Sequence, residues 1–274
     1  MDFTFGIITA AQENESSLGW RDNMLCIFDS IRKLKIPNYE IVVVGGPFPE
    51  DGRNHLHLHK RPDVVHVPFD DNVVLDILQK EGNPFLESRT LIDKNGQKHT
   101  TKIPTKDGVR MPGVLSGWIT KKKNLITQNA KYENIVFMHD YHMFDKNWYN
   151  GFLNFGNDWD VCMNRIENFW GDRFRDWVSW DHPEYGTRKT MPYEDVHAGK
   201  WAYISGSYWV AKKKFMEQNP LDEGFLWGQG EDLEWSFRVR DKCNYVANPM
   251  SIVRHTRPKY TGDEHYAPSF AGRK

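Results

Sequence analysis

The chain has 274 residues and a formal net charge of −1, with 27% charged and 39% hydrophobic residues. That length allows one large α/β domain or two small ones, and the composition is that of a soluble globular chain, not a disordered one. A near-neutral balance gives no electrostatic argument for nucleic acid or an anionic membrane, and no window approaches the roughly 20 apolar residues of a membrane span. The three cysteines, Cys26, Cys162 and Cys243, lack metal-type spacing and argue against a disulfide framework. The amino terminus enters an apolar run without the basic and long apolar regions of a signal peptide, so the expected location is cytoplasmic. Aromatic residues reach 14%, with 11 Trp, which suits either an aromatic core or rings that hold sugar faces.

In chain order, Phe3 to Thr9 reads as a strand, followed by a polar loop with helix-capping residues. Leu18 to Leu34 has apolar residues near helical spacing, and Glu40 to Val44 is a second strand stopped by Gly45-Gly46-Pro47. This β-loop-α-β opening is half of a nucleotide-binding α/β unit, without a dinucleotide or P-loop fingerprint. Val64 to Val67 is a short strand. Before it, His55, His57 and His59 alternate as they would on one face of a surface strand or in a metal patch. Asp93 to Lys98 contains Asn95-Gly96, a hairpin turn expected to insert on the main sheet. A helix is expected from Trp118 to Ala130. Its Lys121-Lys122-Lys123 triplet makes either a solvated face or a reach toward a diphosphate.

The most informative stretch is Ile135-Val136-Phe137-Met138-His139-Asp140-Tyr141-His142. A continuous apolar run reads as a buried strand of a largely parallel sheet. It ends on Asp140 and His142, which project to one side at the strand's carboxyl end if the strand persists. Asp-x-His there is a half-site for a divalent cation carrying a phosphorylated ligand. Trp148 to Phe155 reads as helical, 159–166 as a strand, and 167–201 as a long aromatic loop with Trp170, Trp177 and Trp180. Tyr203 to Val210 reads as one strand leading into a helix. In Leu226-Trp227-Gly228-Gln229-Gly230-Glu231-Asp232-Leu233-Glu234, a glycine turn precedes three carboxylates in the first turn of a helix, more than the helix dipole needs. Asp232 is a candidate general base, with Glu231 or Glu234 to orient a hydroxyl. A strand, 251–256, ends on His255, and the tail from Lys259 has few apolar anchors.

In this order the features resemble a GT-A glycosyltransferase. His139-Asp140-Tyr141-His142 is similar to the family's Asp-x-His, and Trp227-Gly228-Gln229-Gly230-Glu231-Asp232 to the Trp-Gly-Gly-Glu-Asp segment of polypeptide N-acetylgalactosaminyltransferases and chondroitin-type transferases. Lys123-Asn124 sits where family 2 members carry Ala-Arg-Asn, while Gly45-Gly46 stands where many relatives place a nucleobase-binding Asp. The resemblance implies one GT-A domain over 1–274: an α/β fold with a mixed, mostly parallel central sheet flanked by helices, and a β-hairpin insertion. It divides into a nucleotide-sugar half at 1–142, an acceptor half at 143–258 and a flexible tail at 259–274. It further implies a hexosyltransferase that takes a nucleotide-sugar donor, UDP-linked, and a saccharide acceptor. Mn²⁺ or Mg²⁺ would be held by Asp140, His142 and His255. Donor contacts would come from Thr9, Ala10, Gly45, Lys123, Asn124, His139, Asp140 and Tyr141. Asp232 and Glu231 would be catalytic, and Trp170, Trp177, Trp180, Trp227, Gly228 and Glu234 would bind substrate. The alternatives are a sugar-phosphate nucleotidyltransferase, disfavoured because no Gly-rich basic loop follows the first strand, and a non-catalytic carbohydrate-binding protein of the same fold.

Overall fold

The computed structural model describes residues 1–9, 18–46, 56–69, 89–92, 98–101, 118–195, 201–223 and 230–257. Strand β1 (Phe3–Ile8) is buried at every position, as an internal strand covered on both faces must be. Helix α1 (Leu18–Lys33) leads to β2 (Tyr39–Gly45), and β3 (Val64–Pro68) follows. Next come β4 (Arg89–Ile92) and β5 (Lys98–Thr101), helix α2 (Ile119–Asn129), β6 (Asn134–His139) and β7 (His142–Phe144). Helix α3 (Trp148–Phe155) precedes β8 (Val161–Glu167), β9 (Trp177–Ser179), β10 (Ala202–Ile204) and β11 (Tyr208–Lys212). Helices α4 (Lys213–Gln218) and α5 (Glu231–Val239) and the long β12 (Tyr245–His255) complete the order.

Eight strands form one sheet in the order β3-β2-β1-β6-β11-β8-β12-β7. The β3-β2-β1-β6 half is parallel, β11 runs antiparallel to both neighbours, and β12 is parallel to β8 but antiparallel to β7. Period-two alternation sorts the side chains into two cores. Phe3, Phe5, Val136, Met138, Tyr208 and Val210 pack on the face covered by α1 and α3. Ile135, Phe137, Trp209 and Ala211 pack on the other, with Ile126 of α2 and Trp235 of α5.

Four expectations change. The run read as one strand over 203–210 is two strands, β10 and β11, separated by Ser205-Gly206-Ser207. β10 pairs with β9, so the stretch expected as a loop over 167–201 carries a small antiparallel layer. His57 has φ 49° and opens a short 3₁₀ turn over Leu58–Lys60, so His57 and His59 do not alternate along a strand; His55 lies outside the described residues. The hairpin strands β4 and β5 pair with each other as a separate two-stranded sheet, their connecting residues 93–97 lying outside the described ones.

Beneath the antiparallel half runs a closed circuit of buried hydrogen bonds. Trp148 Nε1 donates to the Tyr208 hydroxyl at 2.9 Å, which donates to Asn164 Oδ1 at 2.7 Å. Asn164 Nδ2 donates to Asn248 O at 3.3 Å, Asn248 Nδ2 to Ser251 Oγ at 2.9 Å, and Ser251 Oγ to Trp148 O at 2.8 Å. The circuit joins α3, β11, β8 and β12 and leaves each polar group satisfied where water is excluded.

Candidate active site

The carboxyl ends of β1 and β6 lie side by side, Ile8 in register with His139. Thr9 continues β1. Its hydroxyl donates to Asp140 Oδ2 at 2.6 Å, and its carbonyl accepts from Lys122 Nζ at 2.8 Å. Asn23 of α1 donates to the Asp140 carbonyl. The end of β2 presses close: a Cβ on Gly45 would stand 2.5 Å from Thr9 O, so this position excludes any larger residue, including an Asp for a nucleobase.

A second group of charges faces this edge from the 205–207 break. β11 is antiparallel to β6, and His139 N donates to Ser207 O at 3.1 Å, which puts Gly206 beside the end of β6. Gly230, at φ 76°, turns the chain into α5, placing Glu231 and Asp232 in the helix's first turn. Gly206 N donates to Asp232 Oδ2 at 2.8 Å, and Lys123 Nζ donates to Gly206 O at 2.7 Å while standing 3.7 Å from Glu231 Oε1. The lysine triplet is therefore not a solvated face: Lys122 and Lys123 are each only 1% exposed. Burial raises Glu231 to about 7, with Asp232 adding and Lys123 opposing. Burial also raises Asp232, against Lys123, and lowers Lys123 against both carboxylates. Mutually perturbed titratable groups withdrawn from water are a common mark of a catalytic centre.

A Cβ on Gly206 would lie 2.8 Å from Glu231 Oε1 and 2.9 Å from Asp232 Oδ2. Both are side-chain tips that can yield by tenths of an ångström. Gly206→Ala is therefore expected to fold with a near-normal melting temperature but to lose about tenfold in turnover, since small misplacements of reacting groups are costly. Steady-state kinetics beside a thermal melt checks this; full activity would show that the carboxylates need not hold these positions.

β6 ends at His139 and β7 begins at His142, so the strand does not persist through Asp140 and Tyr141, and Asp140 and His142 do not share one strand face. His142 instead lies opposite His255 in the β7–β12 ladder, ring centroids 4.9 Å apart. Tyr141 stacks on His142 at 4.6 Å, and Phe174 meets His255 edge-on at 4.6 Å. Both imidazoles are buried, while the Asp140 carboxylate is held by Thr9. Among the described residues no group of three or more His, Cys, Asp or Glu is placed to hold a metal ion. As arranged, His142 and His255 provide an imidazole pair.

No protein-family model and no curated protein sequence matches the chain. Among solved structures, the chain is similar to residues 1–349 of S. aureus TarS, with a TM-score of 0.50 and 12% identity over 93% of this chain and 60% of that one. The chain has a glycosyltransferase-like fold. It spans 60% of the TarS chain. No helix among the described residues is long and apolar enough to cross a membrane.

Against this glycosyltransferase-like frame, the remaining expected site residues separate. Asn124 is buried, donates to Leu221 O and Glu223 Oε1, and accepts from Leu221 N. With Lys121 and Trp118, which also grip Glu223, it anchors the segment that leads toward α5. Glu234 forms an ion pair with Arg238 at 2.6 Å on the outer side of α5. Trp177 is 1% exposed, within the core, and cannot stack on a sugar; Trp180 is half-buried against Tyr203; Trp170 is 55% exposed beside exposed Phe169. Ala10, Trp227, Gly228 and the tail from 259 lie outside the described residues. Sequence reasoning missed Gly206, whose only signal was a Ser-Gly-Ser step inside an apolar run, and Lys122, masked by the usual solvation of lysine runs.

Proposed function

We propose that the chain is a glycosyltransferase that moves a sugar from a nucleotide-diphosphate donor, UDP-linked, to a saccharide hydroxyl. The observation that carries the reading is the group of buried Lys123 and Glu231 with half-buried Asp232 around Gly206, set beside the ends of β1 and β6 in a fold of the glycosyltransferase kind. TarS is itself a glycosyltransferase, which supports the class but not the donor or acceptor.

In this reading the donor lies over Thr9, His139, Asp140 and Tyr141, where open α/β sheets bind ligands. Asp232 takes the proton from the acceptor hydroxyl as that oxygen attacks the anomeric carbon, and the reaction inverts. Backbone N–H groups of Gly206 and Leu233 fix one carboxylate oxygen each, at 2.8 and 2.9 Å, and each oxygen keeps a lone pair for the incoming proton. Glu231 lies alongside to orient the hydroxyl, and Trp170 offers an exposed face to the acceptor ring. The deciding experiment incubates the protein with a panel of nucleotide sugars, with and without Mn²⁺ or Mg²⁺, and measures nucleoside diphosphate release. Pyrophosphate release from a nucleoside triphosphate and a sugar phosphate would identify a nucleotidyltransferase instead. Saccharide binding without turnover would identify a binding protein.

A pH dependence follows from the carboxylate pair. Both pKa values are raised, Glu231 to about 7, so the state with both carboxylates ionised is lost as pH falls through the neutral range. Interacting groups titrate as a unit. Turnover is expected to rise with pH across an acid limb displaced upward from the roughly 4 of ordinary carboxylates. A kcat/KM profile that stays flat down to about pH 5 would remove the pair from the rate-determining chemistry.

A further inference from the structure

We propose that Lys123 is a positioning residue for the Glu231–Asp232 pair, acting on Glu231 directly and on Asp232 through Gly206, and not a ligand of the donor diphosphate. Its catalytic consequence rests on the glycosyl-transfer reading; its contacts do not. The Lys123 side chain crosses from α2 to the 205–207 break and ends in a closed setting. Nζ donates to Gly206 O at 2.7 Å, lies 4.4 Å from the centre of the Trp209 ring and stands 3.7 Å from Glu231 Oε1. The same residue donates on its other side to Asp232, through Gly206 N at 2.8 Å. Gly206 thus holds the ammonium on its carbonyl and the carboxylate on its N–H, in adjacent peptide units, so the lysine fixes the backbone that fixes Asp232.

Charge balance points the same way. A buried ammonium is costly unless paired, and the carboxylates are the pair this one has. One ammonium serves two carboxylates, so its presence decides whether both can be ionised together. The adjacent Lys122 reaches the other half of the edge, donating to Thr9 O with Nζ 5.3 Å from the Phe69 ring centre. Consecutive lysines of one helix thus serve the donor edge and the carboxylate pair separately. The titratable group facing the cluster from the β6–β7 turn is Tyr141, whose phenol burial keeps protonated and which also feels Asp140 and Arg257. On α5 itself, Glu234 is turned outward to Arg238.

The test compares wild type, Lys123→Met and Lys123→Arg in full pH profiles of transfer, with the donor KM at each pH. In Lys123→Met the acid limb is expected to move up by about one pH unit or more. Its kcat at neutral pH should fall about tenfold and partly recover in alkali, with donor KM changed less than about threefold. Lys123→Arg should hold the limb near its wild-type position. An unmoved limb with a donor KM raised tenfold would overturn the proposal and return Lys123 to the diphosphate. A second readout needs no turnover: infrared absorption of protonated carboxyls at neutral pH. Lys123→Met should gain a band that disappears when Glu231→Gln is added; no gain overturns the proposal. If the band appears while wild type transfers no sugar, the positioning role stands and the transferase reading falls.

Discussion

Asp232→Asn is expected to lower sugar transfer by about 10²-fold or more while leaving donor affinity unchanged. The substitution keeps shape and one carbonyl oxygen, so the hydrogen bond from Gly206 N at 2.8 Å can persist while the one from Leu233 N at 2.9 Å is given up. What is lost is the basic oxygen that accepts the hydroxyl proton. The proposed donor edge lies on other elements, Thr9 of the β1 end and Asp140 of the β6–β7 turn, joined at 2.6 Å. Donor binding measured by calorimetry should therefore match wild type, and the loss should fall on kcat. Turnover within threefold of wild type would exclude Asp232 as the base and shift attention to Glu231.

Trp148→Ala is expected to cost about 3–5 kcal/mol of stability, the range for removing a large buried aromatic. Trp148 is fully buried against Phe3, Phe5, Phe144 and Phe152, and its indole N–H feeds the Tyr208 hydroxyl. Trp148→Phe separates the two contributions: the ring stays, the donor goes, and about 1–3 kcal/mol is expected. Denaturant midpoints at constant slope measure both. A loss below about 1 kcal/mol in the alanine variant would show that α3 does not anchor the antiparallel half. The consequence reaches the imidazole pair, because Tyr208 packs against His142 at 5.7 Å.

Much of the fold was legible from local pattern. The apolar runs 3–8, 40–44 and 135–139 became buried strands, and the helical spacing of 18–34 and 148–155 became α1 and α3. The pattern failed where two elements share one apolar run. Residues 203–210 look continuous because both halves are buried, yet β10 pairs with β9 while β11 joins the main sheet between β6 and β8. It failed again at Trp177, since a tryptophan in a polar stretch reads as a surface ring until its neighbours are known.

The sequence by itself determined that this is an α/β chain and that acidic and imidazole residues follow its apolar runs, because hydrophobic period and the polar residues that interrupt it are properties of neighbouring residues. Tertiary structure alone decided which of those groups meet. Lys123 reaches Gly206 across 83 positions, Gly206 reaches Asp232 across 26, and His142 meets His255 through the β7–β12 ladder. Such meetings are set by strand register and by burial that makes an unpaired charge costly, and neither is encoded in local spacing.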